Sequence, residues 1–273
     1  MKRNLTFFYT GNIPSGKIRG EQVSTYLGAK QNPTSDYADD TCIYAKCRPP
    51  EITPQHSFID VVDSRWLLLW VEAHPKLGII AISNYALNYI RTKLNRKDVY
   101  FIPEHHCNFD REQRTRKDIT TVGYIGCRTG SEFPSDIVER FADIGLNFKY
   151  SKKYETRLDV INFYKSIDIQ VVGAYIKGKA SRPLKNPLKI ANAGSFGIPT
   201  VSYPESSFVD EFGECFVRAN TIKQSILQCK KLKEDKTFYE DIAGKVLERA
   251  ENFHISKIAP LYQQLGEQYA CSY

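Results

Sequence analysis

Between Tyr175 and Lys189 the chain carries Lys177, Lys179, Arg182, Lys185 and Lys189 and no acidic residue. This cationic loop runs into a short helical pattern, Leu188, Ile190 and Ala191, which small residues and Gly197-Ile198-Pro199 close before the apolar strand Thr200 to Tyr203. Loop, helix N-terminus and strand in that order make an anion site. The first N–H groups of a helix lack intrahelical partners and carry the positive end of its dipole, so backbone and side chains hold a phosphate together. A fixed donor aimed at a departing anion commonly contributes about a hundredfold to a thousandfold in rate. The plain alternative is that Lys185 and Lys189 are solvated charges on an ordinary α/β helix, and the segment alone leaves both readings open. A second stretch, Gly11 to Gly20, joins three glycines to Lys17 and Arg19 and also suits an anionic ligand. His74, His105 and His106 add groups that can donate to a hydroxyl or take its proton near neutral pH.

The elements that must position these residues follow a strand and helix alternation. Leu5 to Thr10 reads as a buried strand that breaks at Gly11, with a helix over Glu21 to Leu27. Thr41 to Lys46 and Phe58 to Val62 read as strands two and three, with Asp63 at the end of the third and Ser64 as the cap of the helix Arg65 to Ala73. That helix, RWLLLWVEA, is apolar nearly all round and is expected to be packed between elements. An interfacial membrane contact through Trp66 and Trp70 is the other option. A strand at Leu77 to Ile82, a Ser83-capped helix to about Asn95 and a strand at Val99 to Ile102 complete this half. The charged stretch Asn108 to Asp118 reads as a linker. The second half repeats the rhythm from Ile119, and Phe238 to Asn252 forms a further helix.

Composition sets the limits. A chain of 273 residues with 42% hydrophobic and 12% aromatic content has enough for two cores of about 110 to 160 residues each. With 25% charged residues and no low-complexity tract, disorder is excluded. The net charge of +7 favours anionic partners without marking a nucleic-acid groove. Seven cysteines, scattered and never in a Cys-x-x-Cys spacing, read as reduced thiols of a cytoplasmic protein. No metal site is expected, because His105, His106 and Cys107 are consecutive and extended neighbours point apart. No signal peptide is expected, and Trp66 to Val71, the longest apolar run, falls far below the roughly 20 residues of a membrane span.

The segment Pro187 to Val201 resembles the donor-site region of the GT-B nucleotide-sugar glycosyltransferases, in particular the large retaining group 1 or family 4 type, with its pattern K-l-l-E-A-m-A-x-G-x-P-V-V. Lys189, Ala193, Gly197, Pro199 and Val201 match in register. Asn192 stands where that family has a Glu for the donor ribose, and Leu184 stands where the partner Glu falls. The closing run ERAENFHISKIAPLYQQL is similar to the family's last helix, and Tyr164 and Asp168 fit an architectural strand pattern. The likeness covers Ile119 to Tyr262 well and the first hundred residues loosely.

This resemblance implies an α/β fold of two Rossmann-like domains facing each other across a cleft. The domains would be a short acceptor domain over 1–110, a linker over 111–118, a donor domain over 119–255 and a crossover helix over 256–273 returning to the first domain. It implies a hexosyltransferase of polysaccharide biosynthesis that uses a nucleoside-diphosphate sugar, with no cofactor and no metal. Arg128 and Lys189 would hold the diphosphate, with Arg182 and Lys185 as substitutes, and Asn192 the ribose. Gly194 belongs to the same donor segment, while Gly11 and Lys17 line the acceptor side. No dedicated base is needed for a retaining transfer; an inverting one requires His74, His105 or Asp63. The acceptor would be a glycan or a lipid-linked sugar, reached with peripheral contact at the inner membrane face. Two other readings stay open: transfer to modified bases of DNA, and a nucleotide-sugar-binding module without turnover.

Overall fold

The computed structural model describes residues 3–50, 53–126, 133–173 and 183–270, with side chains as far as Leu265. Arg128, Lys177, Lys179 and Arg182 lie outside the described residues. Among the described residues the chain divides into two compact units. The first holds the chain up to His105, Pro183–Asn186 and everything from Ile255; the second holds His106 onward and Pro187–His254.

The first unit is a parallel sheet of β1 (Leu5–Tyr9), β2 (Lys30–Gln31), β3 (Thr41–Ala45), β4 (Ser57–Asp60), β5 (Gly78–Ala81) and β6 (Val99–Phe101), in the order β2-β1-β3-β4-β5-β6. All residues of β3, β4 and β5 are buried, as expected for strands covered on both faces. After β1 the chain enters α1 (Pro14–Gly16), a π-helical turn (Lys17–Gln22) and α2 (Val23–Leu27), so helix begins well before Glu21. Side chains at Gly16 and Gly20 have no room. A Cβ at Gly20 would lie 2.4 Å from the Tyr9 ring, so that glycine serves packing on β1. The capping oxygens expected of Ser64 and Ser83 accept from Leu67 N–H and Ala86 N–H at the starts of α3 (Arg65–Glu72) and α4 (Asn84–Leu94). Asn95 then ends α4 in the left-handed conformation, φ 49°.

The second unit is a parallel sheet of β7 (Thr121–Ile125), β8 (Asn147–Ser151), β9 (Ile169–Val172), β10 (Thr200–Ser202) and β11 (Val217–Arg218), ordered β11-β10-β9-β7-β8. Its helices are α5 (Ile137–Ala142), α6 (Arg157–Lys165), α7 (Leu188–Gly194), α8 (Ser206–Phe212), α9 (Ile222–Glu234) and α10 (Lys236–Ala250). Counted from their first strands, the sheets have the orders 2-1-3-4-5-6 and 2-1-3-4-5, so each reverses direction beside its first strand, between β1 and β3 and between β7 and β9. In open α/β sheets ligands bind outside the carboxyl ends of strands at this switch point.

The stretch 111–118 is fastened to the second unit instead of running free as a linker. Arg114 and Arg116 both pair with Asp168 at 2.9 Å, and that carboxylate, fully buried, also accepts from Thr120 and Thr121 N–H at 2.8 Å. The charges that suggested solvation are partners for one buried anion. A last helix, α11 (Ile255–Ala270), belongs to the first unit, where its Tyr262 ring meets Phe7 edge-on at 5.3 Å. No described helix is long and apolar enough to cross a membrane.

Candidate functional site

Lys189 lies in the first turn of α7, and its ammonium reaches the carboxyl end of β7. Its Nζ donates to the Ile125 carbonyl at 2.5 Å and sits 4.6 Å from the centre of the Tyr124 ring. The backbone behind it is fixed by Gln170 on β9. Gln170 Nε2 donates to the Lys189 carbonyl at 2.8 Å and to Thr200 Oγ1 at 3.0 Å, while its Oε1 accepts from Tyr164 at 2.8 Å. Helix α7 is thereby held across β9 and β10, and its lysine points to the β7/β9 switch point. Gly126 follows directly: its N–H donates to Ser151 O, and its O accepts from the Tyr150 hydroxyl. A partly buried ammonium at that place is the arrangement that holds a phosphate.

The other residues expected in the donor segment divide. Lys185 is half-buried and belongs to the first unit with Pro183–Asn186. Asn192 is 7% exposed, and its Oδ1 accepts from Cys107 N–H at 2.8 Å. The side chain acts as a pin between α7 and the start of the second unit, which corrects its placement on a ribose. Gly194 does not face a ligand either: a Cβ there would lie 2.5 Å from Val246 on α10, so the glycine serves the close approach of two helices. Leu184 is 3% exposed within the apolar core of the first unit, beside Leu67 and Leu77, so a carboxylate could not stand there uncompensated.

In the first unit the expectations shift further. His74 follows α3 and precedes β5, at the amino ends of the strands, and so lies at the opposite edge of the sheet from the switch point. Its Nδ1–H donates to Trp70 O at 2.7 Å and its ring stacks on Trp70 at 3.7 Å, which removes it from the acceptor role. His105 is 1% exposed, with Nε2 donating to Ile18 O at 3.0 Å. Asp63, at the carboxyl end of β4, pairs with Lys46 at 2.6 Å on the surface, a contact of small energetic weight. Gly11 is exposed with open space around it, and Lys17 is half-buried in the π-helical turn.

Arg19 lies in the same turn and is buried completely. Its Nε donates to Asp60 Oδ2 at 2.6 Å, and one terminal nitrogen donates to the Ile102 and Pro103 carbonyls at 2.9 and 2.7 Å. Tyr262 of α11 donates to the same carboxylate at 3.3 Å. An anion-binding role for Arg19 is therefore overturned, because its guanidinium is fully buried and ion-paired with Asp60 inside the unit. Glu104, 3% exposed, accepts from the Asn186 amide, and burial pushes its carboxyl up from 4.5 to about 7 against the pull of Arg19. A carboxyl whose folded pKa is raised stabilises the fold fully below the unfolded value, and that contribution is lost as pH rises through the folded one. Stability should therefore fall between about pH 4.5 and 7, and Glu104→Gln should flatten that slope in pH-dependent urea denaturation.

Sequence reasoning missed Gln170, Asp60 and Glu104. The signal for Gln170 was available, a lone amide in the buried run IDIQVV. Among the described residues no cluster of His, Cys, Asp and Glu suits a metal ion. Five cysteines, 42, 47, 107, 215 and 229, are unpaired thiols, and burial pushes Cys42 and Cys107 up to about 12, which makes them poor nucleophiles.

No protein-family model and no curated protein matches the sequence, whereas solved structures do. The chain is similar to Anabaena Alr3699/HepE in complex with UDP and glucose, with TM-score 0.64 and 10% identity over 98% of this chain and 100% of that one. It is similar to a glycosyltransferase from Rickettsia africae ESF-5, with TM-score 0.61 and 10% identity over the whole of both chains. It also resembles a variant of S. aureus TarM in complex with Fondaparinux, alpha-GlcNAc-glycerol and UDP, with TM-score 0.59 and 12% identity over 85% of this chain and 56% of that one. The chain spans about half the length of the TarM and GtfA/B structures, 51% and 57%. Two doubly wound parallel units that share the 2-1-3-4-5 strand order, with these neighbours, define the fold: it is the GT-B fold of nucleotide-sugar glycosyltransferases.

Proposed function

We propose that this protein transfers a hexosyl group from a nucleoside-diphosphate sugar, in the first instance a UDP-sugar, to a glycan or lipid-linked acceptor. The observation that carries the reading is the Lys189 ammonium at the β7/β9 switch point, in a fold shared with proteins solved with UDP and glucose. In transfer the anomeric C–O bond to the diphosphate breaks and a bond to the acceptor oxygen forms. The acceptor proton passes to the released diphosphate. Lys189 stabilises the charge that grows on the leaving group, with Arg128 and Arg182 as further cations. The reading is a retaining, metal-independent transfer, in which these cations neutralise the diphosphate and the donor phosphate takes the acceptor proton.

A second reading, nucleotide-sugar binding without turnover, is favoured by the pinned Asn192 and the buried Leu184, which leave neither position with an acid for the ribose. Thermal denaturation with UDP, GDP, ADP, CMP and dTDP side by side tests the common core of both. UDP at about 100 times its dissociation constant should add about 2.7 kcal/mol of stability. Stabilisation by none of the five overturns the nucleotide site. Stabilisation by UDP with neither transfer nor hydrolysis of UDP-glucose selects the second reading.

A further inference from the structure

Helix α3 carries two apolar stripes, and the fold buries one. Leu67, Leu68 and Val71 face the core at 0–2% exposure. Trp66, Leu69, Trp70 and Ala73, at i, i+3, i+4 and i+7, form the other stripe. Trp66 is 50% and Leu69 58% exposed, Ala73 is exposed and Trp70 partly so. The packing expected all round this helix is therefore absent on its outer side. The stripe is edged with cations. Arg48 lies over the Trp66 ring at 4.6 Å and the Trp70 ring at 5.7 Å, and Arg65 and Lys76 are exposed nearby in sequence. The only exposed acid within α3 is Glu72, and Asp63 before it is neutralised by Lys46.

We propose that the outer stripe of α3 docks the protein onto the surface of an anionic lipid bilayer. Indole rings combine an apolar body with an N–H donor and settle at headgroup level. A short apolar insertion flanked by cations is the combination by which a helix lies on a membrane without crossing it, the cations drawing it to negative headgroups. Charge complementarity decides the occupant, because Arg48 over both tryptophan rings, with the exposed Arg65 and Lys76 close in sequence, matches a phosphate-rich plane with hydrocarbon beneath it. The proposal stands apart from the nucleotide site, since the stripe belongs to the first unit and Lys189 to the second.

Both tryptophans of the chain lie on this stripe, so intrinsic fluorescence reads the contact directly. The full chain is mixed with vesicles of phosphatidylcholine alone or with phosphatidylglycerol added, and sedimentation gives the bound fraction. Wild type should partition to the phosphatidylglycerol vesicles with a blue-shifted emission, and salt should weaken it. Arg48→Glu, and separately Trp66→Ser with Leu69→Ser, should each reduce partitioning about tenfold or more at an unchanged thermal transition. The proposal is overturned if wild type ignores the anionic vesicles or if both variants bind as well as wild type. It is overturned equally if the stripe proves to be a contact between copies, seen as a lipid-free dimer in ultracentrifugation that the serine variants dissociate.

Discussion

Lys189→Ala should lower sugar transfer by about a hundredfold to a thousandfold in kcat/KM, the loss typical of one preorganised donor to a developing anion. The side chain donates to Ile125 O at 2.5 Å and packs on the Tyr124 ring. Removing a partly buried hydrogen bond costs about 1 kcal/mol, so the unliganded protein should melt within a few degrees of wild type. Stabilisation by UDP should shrink sharply at the same time. The split matters, because a lysine that merely tied α7 to β7 would lower the melting temperature and leave nucleotide affinity alone. Transfer retained within about threefold removes Lys189 from the leaving-group role.

The second large effect lies in the first unit and concerns stability. Arg19→Leu should cost about 3–5 kcal/mol, the range for breaking a buried ion pair by removing one partner. It leaves Asp60, fully buried, facing only the Tyr262 hydroxyl and the Val62 N–H. It also strips the Ile102 and Pro103 carbonyls of their donor, at the point where β6 hands on to Glu104 and His105. The midpoint of thermal unfolding should drop by about 2–4 °C per kcal/mol for a chain of this size. Arg19→Leu combined with Asp60→Leu should recover much of the loss, since an apolar pair of similar volume avoids the uncompensated charge. A single-variant loss below about 1 kcal/mol, or a double variant no better than the single, would show that the pair does not hold this end of the sheet.

Both predictions rest on contacts that differ in how far the sequence announced them. Lys189 was legible because its signal is local: a cation in the first turn of a helix, just ahead of small residues and a Gly-Ile-Pro stop before a buried strand. The strands of both units, the caps Ser64 and Ser83 and the two-part rhythm were legible for the same reason. Burial on one face imposes a period of two or 3.6 residues, and caps stand at fixed offsets from it.

Roles set by partners far along the chain left no such trace. Arg19 and Asp60 are 41 positions apart and Arg114 and Asp168 are 54 apart, so a basic residue in a glycine-rich loop and one in a charged stretch looked alike free for ligand or solvent. Only the folded chain shows that both are consumed by buried carboxylates. The same holds for His74, whose type fitted acid–base work until the parallel sheet placed its loop at the amino ends of the strands. By itself the sequence determined the alternation of strands and helices and the cation in the first turn of α7. The tertiary structure decided which polar groups remain for chemistry, because long-range pairing in a low-dielectric interior is settled by strand order and not by local pattern.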